Sequence, residues 1–272
     1  MQERNTLRGT APVFIAIFFL VVPVAVLLAV DFRHRTPEED YARAIVASMR
    51  PLPTRVSHSL VSVDVGQPLT VVTWTRLKQV ADYQKGQTPT YKSVWVTVVP
   101  NLRSFCREFV RSQGAHLTQL TQRLEQRLGL PPHSGYDTFV ELKIEPDQIK
   151  DVSKFFRPCG NPSVTGNSCE PAFPPQPDQV RASLGTATDP GDNNKVEAYW
   201  VLSKYYWSFA VPEKDQPMLQ YPWTSLGYTF DWAPGGNGGE QFVRWGESEF
   251  VIAPGTPAQF LSATNSAAYC VP

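Results

Sequence analysis

Residues 11–30 read APVFIAIFFLVVPVAVLLAV and contain no charged or amide side chain. A helix of this length spans about 30 Å, the hydrocarbon thickness of a bilayer. A cleaved signal peptide has a shorter apolar core of roughly 7–15 residues, followed by a small-residue cleavage site. Because this run is longer and ends in Leu28-Ala29-Val30-Asp31, it predicts an uncleaved transmembrane signal anchor. A buried helix of a soluble protein is the alternative interpretation.

The charges around this segment do not decide its orientation. Arg4 and Arg8 precede it, but a larger number of arginines follow it closely. A short basic tail is nevertheless usual in a signal anchor, and long domains are translocated largely regardless of their charge. We therefore expect residues 1–10 to be a cytoplasmic tail and the C-terminal part of the chain to lie on the other side of the membrane.

The rest of the chain is expected to form a spacer and one domain. Residues 31–55 are charged and predict a juxtamembrane spacer with a short helix that begins near Thr36 and Pro37. Residues 56–272 are long enough for a single domain with a real core. The formal net charge is zero, so composition gives no reason to expect a nucleic-acid partner.

Cys106, Cys159, Cys169 and Cys270 all follow the apolar segment. An even number of cysteines in an exported domain predicts two disulfides. Cys159 and Cys169 flank a turn-rich loop and are the first choice for a pair, which leaves Cys106 to pair with Cys270. A zinc site is the alternative, but the spacings of the cysteines and histidines do not match zinc motifs. We expect no bound metal and no cofactor.

Apolar periodicity predicts strands separated by a long helical region. The strongest helix pattern begins at Leu102 and continues to Leu128, with a break expected at Gln113-Gly114. A second, aromatic helix is predicted over 194–207, after a long Pro-rich loop that begins at Phe155. This order favours an α+β fold with two main helices and a mainly antiparallel sheet. Strands are predicted over residues 61–65, 69–74, 94–99, 139–144, 228–232 and 248–252, the last being the final strand.

Three runs, FRPCGNP (156–162), YPWTSLGYTFDW (221–232) and GESEFVI (246–252), resemble an uncharacterised family of bacterial envelope proteins. The resemblance covers about the last two-thirds of the chain. It implies a bacterial source, and it brings no activity with it. In a bacterium, the predicted anchor over 11–30 would lie in the inner membrane, and the cysteines that follow it favour a periplasmic C-terminal domain.

Glu247 and Glu249 are the only candidates for catalysis that the sequence singles out. On a strand, residues two apart share a face, so this pair could serve acid/base work, bind a metal or form the glutamate pair of an ADP-ribosyltransferase. The alternative is that both carboxylates lie on a solvated strand edge, which is the more common situation for acids. Asp231 and Glu141 are likewise expected to face water.

Other motifs favour structural roles. The glycines of 235–239 are expected to form a hairpin loop, since no helix follows them as it would in a phosphate-binding loop. His116 and His133 are expected to be ordinary surface or core histidines. The aromatic helix over 194–207 is expected to pack in the core, although it could line a ligand groove.

Two functions remain open on these observations. The first is a membrane-anchored periplasmic domain that binds a ligand or another protein, with the bilayer contacted by residues 11–30 and an envelope protein as partner. The second is an envelope enzyme, either a hydrolase or an NAD-consuming transferase, that uses Glu247 and Glu249. A deep pocket that encloses both carboxylates would favour the enzyme.

Overall fold

Six β-strands pair into one antiparallel sheet in the computed structural model, which describes residues 35–48, 53–114, 117–159, 163–169, 221–235 and 241–271. Two further strands form a separate hairpin. The strands are β1 (Leu69–Thr75), β2 (Val94–Val98), β3 (Thr138–Ile144), β4 (Phe155–Phe156), β5 (Tyr228–Pro234), β6 (Phe242–Ser248), β7 (Phe250–Ile252) and β8 (Gln259–Asn265). The α-helices are α1 (Pro37–Ser48), α2 (Asn101–Gln113), α3 (Leu117–Arg127), α4 (Pro146–Ile149) and α5 (Ser266–Cys270), and short 3₁₀ helices span Pro53–Arg55 and Leu77–Tyr83.

The sheet has the strand order β4-β7-β2-β1-β3-β8, with antiparallel pairing between neighbours. β2 lies between β7 and β1, an interior position that suits its continuous apolar run. The predicted α+β class with a mainly antiparallel sheet is therefore confirmed.

Each face of the sheet is covered by a different hydrophobic cluster. One face presents Val71, Val96 and Leu142, which pack with residues of the Leu77–Tyr83 helix and of α4. The opposite face presents Val72 and Trp74, which pack with the apolar sides of α2, α3 and α5. Residues next to each other in β1 thus belong to opposite faces, as the period of a strand requires.

The long helical region is divided where the sequence predicts a break. α2 ends at Gly114, which adopts the left-handed conformation (φ 57°) that glycine reaches without steric cost. α3 then runs along the β5–β6 hairpin and ends before Gly129, which is also left-handed (φ 65°).

α1 lies in the stretch assigned from sequence to the juxtamembrane spacer, and it packs on the hairpin. Tyr41 and Ala44 are buried against Phe230, Trp232 and Phe242. The Tyr41 and Trp232 rings meet edge to face, with their centroids 5.7 Å apart. The chain divides into two units at this point, and Thr36 is the first residue of the larger one.

Both predicted cysteine pairs form disulfides. Cys106 in α2 is joined to Cys270 in α5, with 5.2 Å between their Cα atoms and a sequence separation of 164. Cys159 is joined to Cys169, with a Cα separation of 6.0 Å. Because their sulfur atoms are bonded to each other, these cysteines are not thiolate ligands for zinc.

The fully buried guanidinium of Arg157 fixes the loop closed by Cys159 and Cys169. It donates hydrogen bonds to the carbonyl oxygens of Val61 (2.7 Å) and Gly166 (2.9 Å), and it lies 4.8 Å from the centre of the Phe250 ring. Burial lowers the pKa of Arg157 to about 10.

Three details of the strand prediction are wrong. Residues 61–65 form no strand; the backbone N–H of Val63 bonds to the loop carbonyl of Val164 (2.9 Å) instead of a sheet partner. The predicted loop from Phe155 begins instead with the short strand β4. The final strand is β8, not 248–252, and α5 follows it. β8 lies at the edge of the sheet, and its burial alternates only between exposed and half-buried, so its apolar pattern is weak.

Several predicted features lie outside the described residues: the anchor over 11–30, most of the Pro-rich loop, the aromatic helix over 194–207, most of the glycine loop, and His116. Within the part of the chain that is described, none of the helices has the length and hydropathy needed to span a bilayer.

Candidate aromatic cavity

A cavity of about 360 Å³ lies beside β1 and β2. Its walls come from these two strands, from the segment that follows α3, and from the chain that leads into β5. The volume is within the range of roughly 300–1,000 Å³ that small-molecule sites occupy.

Aromatic side chains dominate the lining of this cavity. Trp95 extends from β2, and its ring meets that of Trp223 nearly at right angles, with centroids 6.4 Å apart. Tyr136 packs edge to face on Trp74, with centroids 5.7 Å apart. Tyr221 is 37% exposed, whereas Trp223 is only 6% exposed. The aromatic residues that line the cavity are Trp74, Tyr83, Trp95, Tyr136, Tyr221, Trp223, Tyr228 and Phe230.

The Trp223 position is fixed by a tight turn before β5. The backbone N–H of Trp223 donates to the carbonyl oxygen of Tyr221 (2.7 Å). The Thr224 hydroxyl donates to the carbonyl oxygen of Tyr228 (2.7 Å). Gly227 has φ of 74°, and a Cβ there would overlap the Arg157 side chain. The run YPWTSLGYTFDW thus builds one wall of the cavity.

Among the described residues, Glu249 is the only acidic one in the lining. It lies between β6 and β7, where its N–H donates to the carbonyl oxygen of Gly227 (2.9 Å). The residue is 7% exposed, and its Oε2 atom has no hydrogen-bond partner among the described residues. Burial raises the pKa of Glu249 from 4.5 to about 8, and a hydrogen-bonding contribution from the Trp223 side chain opposes this shift in part. At pH 7 the carboxyl is therefore mainly protonated.

Two cationic side chains near the cavity, Lys92 and Arg76, contact groups other than Glu249. Lys92 lines the cavity, but its ammonium lies 5.5 Å from the centre of the Tyr91 ring. Burial lowers the pKa of Lys92, and the carboxylate of Asp82 opposes that shift. The Arg76 guanidinium donates to the carbonyl oxygen of Ser134 (2.7 Å). Neither cation is an ion-pair partner of Glu249 within the described part of the chain.

Glu247 belongs to a different environment, at the contact between α3 and the hairpin. Its Oε1 accepts a hydrogen bond from Arg127 Nε (2.7 Å). Arg123 donates two hydrogen bonds to Asp231, at 2.9 and 2.7 Å. Phe105 lies beside both guanidinium groups, with its ring centre 4.7 Å from that of Arg123 and 4.5 Å from that of Arg127. We call these two arginines and two acids the α3 clamp.

The expectation that the acidic residues face water is wrong. Glu247 is 2% exposed and Asp231 is fully buried, because the arginines of α3 neutralise them. Glu141 is 9% exposed and binds Arg103 and the Tyr269 hydroxyl. Alternation along a strand identifies the face of a residue, but it does not say whether a helix carrying arginines covers that face.

The structure separates the two glutamates that were considered together. Glu249 lines the cavity and Glu247 does not. His133 is exposed and lies 3.2 Å from Glu38 on α1, so it is a surface histidine, as expected. Sequence reasoning missed Trp95, Tyr136, Tyr221 and Trp223 as lining residues; the density of aromatics in residues 221–232 was the available signal.

Comparisons of the chain with protein-family models, with curated proteins and with solved structures found no match. The resemblance to bacterial envelope proteins therefore stays a prediction.

Proposed function

We propose that this chain is a membrane-anchored, periplasmic ligand-binding domain of the bacterial envelope, and that the aromatic cavity holds a small molecule. The observation that carries the proposal is the composition of the cavity: many aromatic rings and one buried carboxyl. Apolar and aromatic walls supply most of the contact area in small-molecule sites, and a few polar groups set the orientation of the ligand.

The proposed location in the periplasm, anchored to the membrane, rests on two separate features. The apolar run over 11–30 has the length of a membrane span. The two disulfides are of a kind that persists in oxidising compartments and is rare in the cytosol. A periplasmic reporter fused at the C-terminus should be active, and thiol counting without reduction should find no free cysteine. Activity of a cytoplasmic reporter fused at the C-terminus, or the finding of four free thiols, would contradict the periplasmic location.

Ligand binding is tested with fragments, because the natural ligand is not identified. Ligand-observed NMR of the full chain in detergent, with a library of aromatic and aliphatic fragments, should detect binders that compete with one another. Trp95→Ala removes one cavity wall and should abolish these signals. Trp245→Ala is the matched control, because Trp245 is 40% exposed and does not line the cavity. Absence of any binder, or equal binding by Trp95→Ala, would overturn the proposal.

The second candidate function is an envelope enzyme, a hydrolase or a transferase. The observation that favours it is the raised pKa of Glu249 beside a cavity, since perturbed carboxyls are frequent in active sites. Glu247 is engaged by Arg127, so Glu249 alone would act, as a general acid. Hydrolysis of chromogenic glycosides or esters that Glu249→Gln abolishes would support this function; activity that survives in Glu249→Gln would exclude this role for the residue.

A further inference from the structure

We propose that the aromatic cavity selects a small organic cation, a primary or quaternary ammonium compound, whose charged group is placed against Glu249. This inference rests on the proposed ligand-binding function and adds the chemical class of the ligand. Its basis is the combination, in one cavity, of several aromatic rings with a buried carboxyl that has no cationic partner among the described residues.

The aromatic lining favours a cation over a neutral ligand of the same shape. The face of an aromatic ring carries negative electrostatic potential, and it attracts an ammonium group within about 6 Å of its centre. Trp95 and Trp223 both line the cavity, and their ring planes are nearly perpendicular (83°). Tryptophan gives the strongest interaction of this kind.

The carboxyl supplies the charge that the rings lack. Asp231 and Glu247 are also buried, but each is paired with an arginine of the α3 clamp. Glu249 differs from them because no arginine or lysine of the described residues reaches it. A bound ammonium would stabilise the ionised form of this carboxyl, because a buried carboxylate is stable only beside a charge partner.

Arg76 and Lys92 do not place their charged groups beside Glu249. Arg76 binds Ser134 and lies 5.6 Å from the centre of the Tyr136 ring, and Lys92 lies over Tyr91. The remaining titratable groups of the lining are the tyrosines Tyr83, Tyr136, Tyr221 and Tyr228. Burial raises the pKa of Tyr221 and of Tyr228, so both stay neutral at pH 7.

Binding of a cation should be accompanied by proton release. The carboxyl is mainly protonated in the empty cavity at pH 7, and an ammonium group favours its ionised form. With a pKa of about 8, about nine-tenths of a proton should leave per bound cation at pH 7. A neutral ligand that accepts a hydrogen bond from the protonated carboxyl should release none.

The experiment compares cations with neutral molecules of the same shape. Choline is paired with 3,3-dimethylbutan-1-ol, and benzyltrimethylammonium with neopentylbenzene. Titration calorimetry of the full chain in detergent, in two buffers with different ionisation heats, gives affinity and proton release together. We expect at least tenfold tighter binding of one cation than of its neutral partner, with proton release.

Two variants assign the effect to the carboxyl. Glu249→Gln keeps the shape of the side chain and should remove both the preference for the cation and the proton release. Glu108→Gln, an exposed position on α2, should behave like the unaltered protein. If neutral probes bind as well as cations or better, the ammonium assignment is overturned while the ligand-binding function stands. If neither kind binds, the ammonium assignment is overturned, and the fragment screen with Trp95→Ala decides separately whether the cavity binds a ligand.

Discussion

At the scale of single residues, Glu249 has consequences that can be measured without a ligand. Its pKa is about 8 in the folded chain and about 4.5 when it is exposed. The folded state therefore binds the proton more tightly than the unfolded state between these values. Under proton linkage, the free energy of unfolding falls as pH rises through this interval, by up to about 1.4 kcal/mol per pH unit from this group.

The prediction is that Glu249→Gln removes this part of the pH dependence. Urea unfolding of the protein and the variant, measured between pH 4.5 and 8.5, gives the free energy of unfolding at each pH. The two values should diverge as pH rises, with the variant becoming relatively more stable. The difference should level off as pH falls through 4.5, because Glu249 then becomes protonated in the unfolded state as well. A pH-independent difference across the whole range would refute the assignment.

Gly246 is a second residue with a clear physical requirement. It lies in β6 where the strand comes closest to the end of α3, and a Cβ there would overlap Thr229 and the carbonyl oxygen of Arg127. Gly246→Ala should therefore destabilise the fold by about 1–3 kcal/mol, as overpacking does. Gly166→Ala is the control, since the nearest atom to its Cβ is at an ordinary 3.5 Å. Equal melting temperatures for the two variants would contradict this prediction.

At the scale of secondary-structure elements, the α3 clamp joins a helix to a hairpin by buried charge. Arg127→Gln should cost about 3–5 kcal/mol in the free energy of unfolding, because it leaves Glu247 buried without its cation. Arg111→Gln on α2 breaks an exposed pair with Glu108 and should change stability little. Denaturant unfolding of both variants measures the difference, and similar losses would show that burial of the pair is unimportant.

Most of the sheet could be predicted from sequence because its strands carry strong apolar patterns. β1, β2 and β3 appear within one or two residues of their predicted bounds. The break at Gly114 could be predicted because glycine reaches the left-handed conformation without steric cost. β8 escaped prediction because an edge strand buries little of either face. Residues 61–65 alternate between apolar and polar side chains as a strand does. Their backbone nevertheless hydrogen-bonds to the loop closed by Cys159 and Cys169 and not to the sheet.

The cavity and its lining residues could be predicted from the sequence only in part. Glu249 could be singled out only together with Glu247, because residues two apart share a face of a strand. The cavity itself is formed by residues that the chain brings together from β2, the turn before β5 and the segment after α3. No local pattern encodes the space between them, so the separation of Glu249 from Glu247 could not be foreseen.

At the scale of the whole molecule, the two disulfides should differ in their contribution to stability. The chain-entropy estimate is about 5 kcal/mol for a loop of 164 residues and about 3 kcal/mol for a loop of 10. Replacing both Cys106 and Cys270 by alanine should therefore destabilise the protein more than replacing both Cys159 and Cys169. Urea unfolding under non-reducing conditions measures both losses, and the reverse order would indicate that local packing outweighs loop length.

The long disulfide also sets the order of events during biosynthesis. Cys270 follows Cys106 by 164 residues, so if the chain is exported from its N-terminal end as proposed, Cys159 and Cys169 reach the periplasm while Cys106 still lacks its partner. An oxidant that meets the nascent chain in this interval can join Cys106 to either of them. Such a mispaired chain must be reshuffled by thiol–disulfide exchange. Maturation of this protein should therefore depend on a disulfide isomerase, and cells without one should accumulate the mispaired forms.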